Sequence, residues 1–199
     1  DVANQLGIAN EQITNHERIL NLSRTDAMTG LLNRRAFFEI ELPRRVARLE
    51  RTGQKASLYY LDMDNFKMVN DVHGHQRGDD AILFLRDMLM EHSRPGDAIV
   101  RLGGDEFAMW LDGMEGEVTE KRAKALLEAS KALEEFSGDA DHPLGLSIGV
   151  ALFDPSVGED LSDLLVRADE AMYAVKKAGK GGYRLAAPPG ASRPGEKDT

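Results

Sequence analysis

Apolar positions open the chain at alternating spacings of four and three, through Val2, Leu6, Ala9, Ile13, His16, Leu20 and Ser23. That is a heptad seam with weak members, and it predicts a helix that pairs with its own copy or docks through one face on its own domain. The pattern breaks at Ser23-Arg24-Thr25-Asp26, and capping and turn residues over 26–30 lead to a second helix over 33–51. Pro43 kinks that helix or begins its second half, because proline has no N–H to give a helix interior. The run from Ala56 to Leu61 is continuously apolar and suits a central strand buried on both faces. A helix over 65–72, a turn over 73–78 and a helix over 79–91 follow, with Asp79 at the start of the last. Strands over 98–102 and 107–111 flank a Gly103-Gly104 pair, a tight-hairpin signal. A helix over 117–136, a strand over 146–153, a helix over 161–177 and a strand over 183–185 complete the pattern. Segment 186–199, rich in proline and glycine, reads as a flexible tail.

This order predicts an α/β (α+β) chain with a ferredoxin-like mixed sheet and surrounding helices. It divides into a signalling or coiled-coil helix over 1–25, a domain over 26–185 and the tail. With 199 residues, 42% hydrophobic and 30% charged, the chain suits one domain with a real core. It has no cysteine, which excludes a disulfide, a thiolate nucleophile and cysteine-bound zinc, and makes the reducing cytoplasm its natural setting. No apolar run approaches bilayer length and the first residues are not a signal peptide, so no membrane contact is expected of this segment. A net charge of −9 argues against duplex nucleic acid as a partner, since that needs a basic face to displace counterions. A phosphorylated small molecule accompanied by a cation remains open.

Asp105 and Glu106 fall at the hairpin tip. Neighbouring strand residues face opposite ways, so a shared ion would need a local distortion there; otherwise the pair is a solvated acidic turn. Asp62 ends the apolar strand, where a carboxylate is costly unless it lies at the rim or binds something, and the Met63 carbonyl follows. Carboxylates with a carbonyl suit magnesium, which takes oxygen ligands and bridges phosphates. His73 and His75 flank Gly74 and read as polar turn residues rather than a transition-metal pair.

Taken together, Gly103-Gly104-Asp105-Glu106-Phe107, Asp62-Met63-Asp64-Asn65-Phe66-Lys67 with Asn70-Asp71, Gly74-His75 and Gly78-Asp79, and Asp26-x-x-Thr29-Gly30-Leu31-x-Asn33-Arg34 resemble the GGDEF family of diguanylate cyclases over residues 26–185. The resemblance implies a fold like the nucleotidyl cyclase and polymerase palm, and condensation of two GTP into cyclic di-GMP and pyrophosphate where two identical domains meet. Asp62, the Met63 carbonyl, Asp105 and Glu106 would hold Mg2+ (or Mn2+), with Glu106 also a candidate base. Asn70 and Asp79 match guanine-reading positions; unaided, they read as helix packing and an N-cap. Lys176 and Lys180 match phosphate positions, the second more often arginine in the family, with Lys67, Phe66 and the amides around Asn65 as further candidates.

Arg94-Pro95-Gly96-Asp97 is by itself a Pro-Gly turn. Its distance from the hairpin resembles the family's product-inhibition site, with Arg101 assisting. The same resemblance implies a homodimer and a sensor or receiver module upstream, where any membrane anchor would also lie. Met28 replaces the usual leucine as a core volume match, and Asp105 is the shorter acid found at its place. Two competing readings are a catalytically silent module binding GTP or cyclic di-GMP, and a cyclase making a single-nucleotide product.

Overall fold

The computed structural model describes residues 23–113 and 115–190. The heptad helix over 2–22, and 191–199 of the expected tail, lie outside them. Six strands form one sheet in the order β1-β3-β4-β2-β5-β6: β1 (Leu32–Asn33), β2 (Ala56–Asp64), β3 (Ala98–Gly103), β4 (Glu106–Asp112), β5 (Gly145–Phe153) and β6 (Tyr183–Leu185). The inner four, β3-β4-β2-β5, are antiparallel and have the strand order of a ferredoxin-like βαββαβ unit; β1 and β6 add parallel edges.

Strand β2 is central and buried on both faces, which is why its sequence runs apolar without alternation. Tyr59, Leu61 and Met63 point into one core with Phe107, Leu85 and Leu126, and Leu58 points into the other with Phe37, Leu49, Trp110 and Leu164. Helices α3 (Phe66–His73), α4 (His75–Glu91) and α5 (Glu117–Ser130) cover the first face. The second is covered by the helical segment after β1 and by α6 (Leu161–Lys177).

Several expectations are corrected. The helix expected over 33–51 has three parts: α1 (Arg34–Ala36), a π-helical turn (Phe37–Glu41) and α2 (Leu42–Thr52). Pro43 stands in the first turn of α2, where its missing N–H costs no bond. Helix α4 begins at His75, so Asp79 lies in its second turn and is not an N-cap. The break falls at Gly74, whose φ of +84° suits glycine. Gly78 belongs inside the helix because α3 passes so close that a Cβ there would lie 2.0 Å from Asn70 Oδ1.

The helix over 117–136 tightens to a 3-10 form at Lys131–Phe136. Strand β1, two residues long, had no pattern to announce it. Met28 is 38% exposed against the Arg101 guanidinium, not a core residue. Ala186 donates from its N–H to the Val150 carbonyl at 2.7 Å and Arg167 donates to the Ala187 carbonyl at 2.9 Å, so sheet contacts continue into the stretch read as tail.

Candidate active site

The carboxylate end of β2 lies between β4 and β5, in register with both: Asp62 faces Glu106 on one side and Ser147 on the other. Directly opposed residues of an antiparallel pair project to one face, so Asp62 and Glu106 share the face covered by α6. The distortion that two adjacent hairpin acids require is present. The β3–β4 register shifts between Arg101 and Gly103, and Gly103 and Gly104 take φ of +153° and +48° to make the turn. Met63 donates its N–H to the Asp105 carbonyl at 3.3 Å. A strand residue's N–H and C=O leave on the same side, so the Met63 carbonyl also faces the hairpin while its side chain is buried in the core.

Arg101 pins the turn from below. Its guanidinium donates to the Gly104 carbonyl at 2.9 and 3.1 Å and to Asp26 Oδ1 at 3.1 Å. Burial pushes the Asp26 carboxyl up, but Thr29 and the Arg101 charge outweigh it and hold the group below the ordinary aspartate range. Arg101 is thus engaged by the hairpin and Asp26. At that turn Arg94 donates its N–H to Asp97 Oδ2 at 2.8 Å and Asp97 donates its own to the Arg94 carbonyl at 3.0 Å.

Charge at the strand end is concentrated and only partly balanced. Burial, reinforced by Asp105 and Glu106, raises the Asp62 carboxyl to about 6 against the pull of Lys176, whose Nζ donates to Asp62 Oδ1 at 2.5 Å. Burial also raises Asp105, and burial followed by the charges of Asp105 and Asp169 raises Glu106. Among the described residues no three acidic or histidine side chains are drawn into a ready-made metal cage. The donors are nevertheless all oxygen, from adjacent strand ends, and burial with mutual repulsion makes their carboxyls harder to ionise, so the set fits a hard divalent cation in kind.

Lysines meet this end from the other side. Gly149 of β5 lets α6 approach so closely that a Cβ would lie 2.0 Å from the Ala168 carbonyl, and this seats Lys176 over Asp62. Past α6, Lys180 Nζ donates to Asn65 Oδ1 at 2.6 Å, and these are the two described non-glycine residues with positive φ, at 68° and 63°. Asp64, 2% exposed, accepts from Ser147 Oγ at 2.7 Å and from the Gly181 N–H at 2.9 Å.

Asn70 Oδ1 is buried against Gly78 with no hydrogen-bond partner, beside half-buried Asp79. Two candidates go elsewhere. Lys67 is 90% exposed and paired with Asp71 at 2.9 Å, and the Phe66 ring packs towards Gly78 and the core. The chain pattern assigned no role to Asp64, Ser147, Gly181 or Gly149; for Asp64 the two-residue spacing from Asp62, which puts both on one face, was the available signal.

Residues 23–182 match the family model described as diguanylate cyclase, GGDEF domain. The chain belongs to the GGDEF-domain family. This GGDEF domain is 35% identical over 178 residues to the diguanylate cyclase DosC of Escherichia coli, a match covering 88% of this chain and 36% of DosC. It is also 35% identical over 170 residues to diguanylate cyclase DgcM of the same organism, covering 85% and 40%. An uncharacterized signaling protein of Caulobacter vibrioides matches at 34% identity over 85% of this chain and 21% of that protein. The chain thus spans well under half the length of these curated relatives.

Among solved structures, the coiled coil and GGDEF domain of DgcB from Caulobacter crescentus, in complex with c-di-GMP, aligns at a TM-score of 0.72 and 30% identity over 93% of this chain and 97% of that one. SiaD of Pseudomonas aeruginosa, in complex with its activator SiaC, aligns at 0.73 and 29% over 92% and 71%. Among the described residues no helix is long and apolar enough to cross a membrane.

Proposed function

We propose that this GGDEF domain is a diguanylate cyclase that joins two GTP into cyclic di-GMP in a homodimer, each subunit supplying one nucleotide and half of the active site. The observation that carries this reading is the β2–β4 register, which sets Asp62 against Glu106 and ties Met63 to Asp105, leaving the acids at one strand end beside Lys176. The 3′-hydroxyl of one GTP attacks the α-phosphorus of the other and the bond to pyrophosphate breaks. Glu106, at the strand end beside Asp62, is the candidate to accept the hydroxyl proton. A second, symmetric step closes the ring and releases the second pyrophosphate.

Asp62, the Met63 carbonyl, Asp105 and Glu106 would hold Mg2+ or Mn2+, whose charge, when bound, offsets that on the transferred phosphoryl group and lowers the pKa of the attacking hydroxyl. Lys176 and Lys180 grip the triphosphate, and Asn70 with the Asp79 carboxylate reads the guanine edge. Cyclic di-GMP returns to the Arg94–Asp97 turn as an inhibitor, read by the Arg94 guanidinium. Upstream, a sensor or receiver module governs the dimer, and the chain works in the cytoplasm.

Purified dimer with GTP and Mg2+ is expected to yield cyclic di-GMP and pyrophosphate in a 1:2 ratio, resolved by chromatography. No product at any protein concentration, or a single-nucleotide cyclic product, would refute the proposal.

A further inference from the structure

We infer that Asp64 is a positioning residue that holds the lysine-bearing turn against the sheet and so sets the grip on the triphosphate, while Asp62 alone of the two strand aspartates serves the metal. The inference rests on the cyclase reading above. Asp62 and Asp64 are two apart on β2 and project to the same face, yet their surroundings differ. The Asp62 side chain is 13% exposed and meets the Lys176 ammonium. Asp64 is sealed at 2%, and each of its oxygens is taken by a neutral donor from a different element, Ser147 Oγ of β5 and the Gly181 N–H beyond α6. A carboxylate sealed from solvent with both oxygens hydrogen-bonded is already engaged in joining β2, β5 and the turn, whereas Asp62 is the more open of the two.

That turn needs a clamp. Gly179, Lys180 and Gly181 take φ of 121°, 68° and 62° in succession, and a lysine in the left-handed region persists only where its surroundings enforce it. The Lys180 N–H reaches the Val175 carbonyl at 3.1 Å, the Gly181 N–H reaches Asp64, and Lys180 Nζ reaches Asn65, the next residue along from Asp64. The Asp64-Asn65 pair therefore fixes the backbone and the charged tip of the same turn.

The test compares Asp64→Ala, Asp64→Asn and Lys180→Ala, alone and combined, by steady-state kinetics. Losing a buried charged acceptor predicts a KM for GTP about tenfold higher in Asp64→Ala, with kcat within about twofold and the Mg2+ half-saturation unmoved. Asparagine should recover most of that affinity, since its amide oxygen can accept from Gly181 and its N–H can donate to Ser147. Lys180→Ala should add little in the Asp64→Ala background, because both act on one turn.

Equal loss of kcat in the alanine and asparagine variants with weakened Mg2+ activation would overturn the inference in favour of a metal ligand, and full additivity with Lys180→Ala would overturn it too. Should Asp64→Ala fail to fold, Ser147→Ala carries the test: a KM about threefold higher supports the clamp and an unchanged KM refutes it. If the wild-type protein makes no product, the cyclase reading fails by itself, and the same comparisons are read as GTP affinities by calorimetry in Ca2+.

Discussion

At Asp62 burial, helped by two neighbouring acids, outweighs one lysine: the carboxyl rises from its ordinary 3.8 to about 6. A folded-state value above the unfolded one means that the native protein binds the proton more tightly. The stability this group contributes is therefore full below about 3.8 and lost as pH rises through about 6. In chelator, the melting temperature should fall between pH 5 and 7.5 more steeply for the wild type than for Asp62→Asn; parallel profiles would refute this. Glu106→Gln should lower turnover by about 10²–10⁴-fold with an unchanged circular dichroism spectrum, since it removes the candidate base without altering shape. Asp62 stood out in the sequence as an acid at the end of an apolar run, whereas Asp105 and Glu106 alone also read as a solvated turn and gained meaning only from the motifs taken together. Asp64 did not stand out, because its partners Ser147 and Gly181 stand far along the chain and only the folded sheet joins them.

Elements were legible where hydrophobic period and length agreed, as in β2, the hairpin, β5 and α6. They were missed where a glycine served packing instead of a turn. Gly78 drew the expected start of α4 several residues too late, although the glycine is needed for the approach of α3, and two-residue β1 is too short to show any period. The two close-packed glycines should respond differently to a methyl group. In Gly149→Ala the new atom meets the α6 backbone, which cannot yield cheaply, so about 1–3 kcal/mol of stability should be lost in denaturant titration. In Gly78→Ala it meets the Asn70 side-chain tip and the Phe66 ring edge, which can turn aside. Stability should change less than in Gly149→Ala, while the KM for GTP rises as Asn70 leaves its place. A Gly149→Ala variant as stable as the wild type would contradict the first expectation, and an unmoved KM in Gly78→Ala the second.

At the scale of the whole molecule, the proposed chemistry needs two subunits, and control should reach it through geometry. Replacing Leu6, Ile13 and Leu20 of the heptad seam by polar residues should weaken dimerisation and slow turnover at low protein concentration, checked by sedimentation alongside the assay. Arg94→Ala should move product inhibition to higher cyclic di-GMP; the same inhibition curve as wild type would remove that turn from the regulatory account. Among the described residues, left-handed backbone outside glycine is confined to Asn65 and Lys180, which touch each other where the triphosphate would lie. Asparagine tolerates that conformation, but lysine does so reluctantly. Selection for heat resistance alone would trade Lys180 for glycine or asparagine and gain a more relaxed fold, whereas selection for turnover would retain it. Thermal hardening at this turn would therefore trade away one of the two lysines proposed to grip the triphosphate.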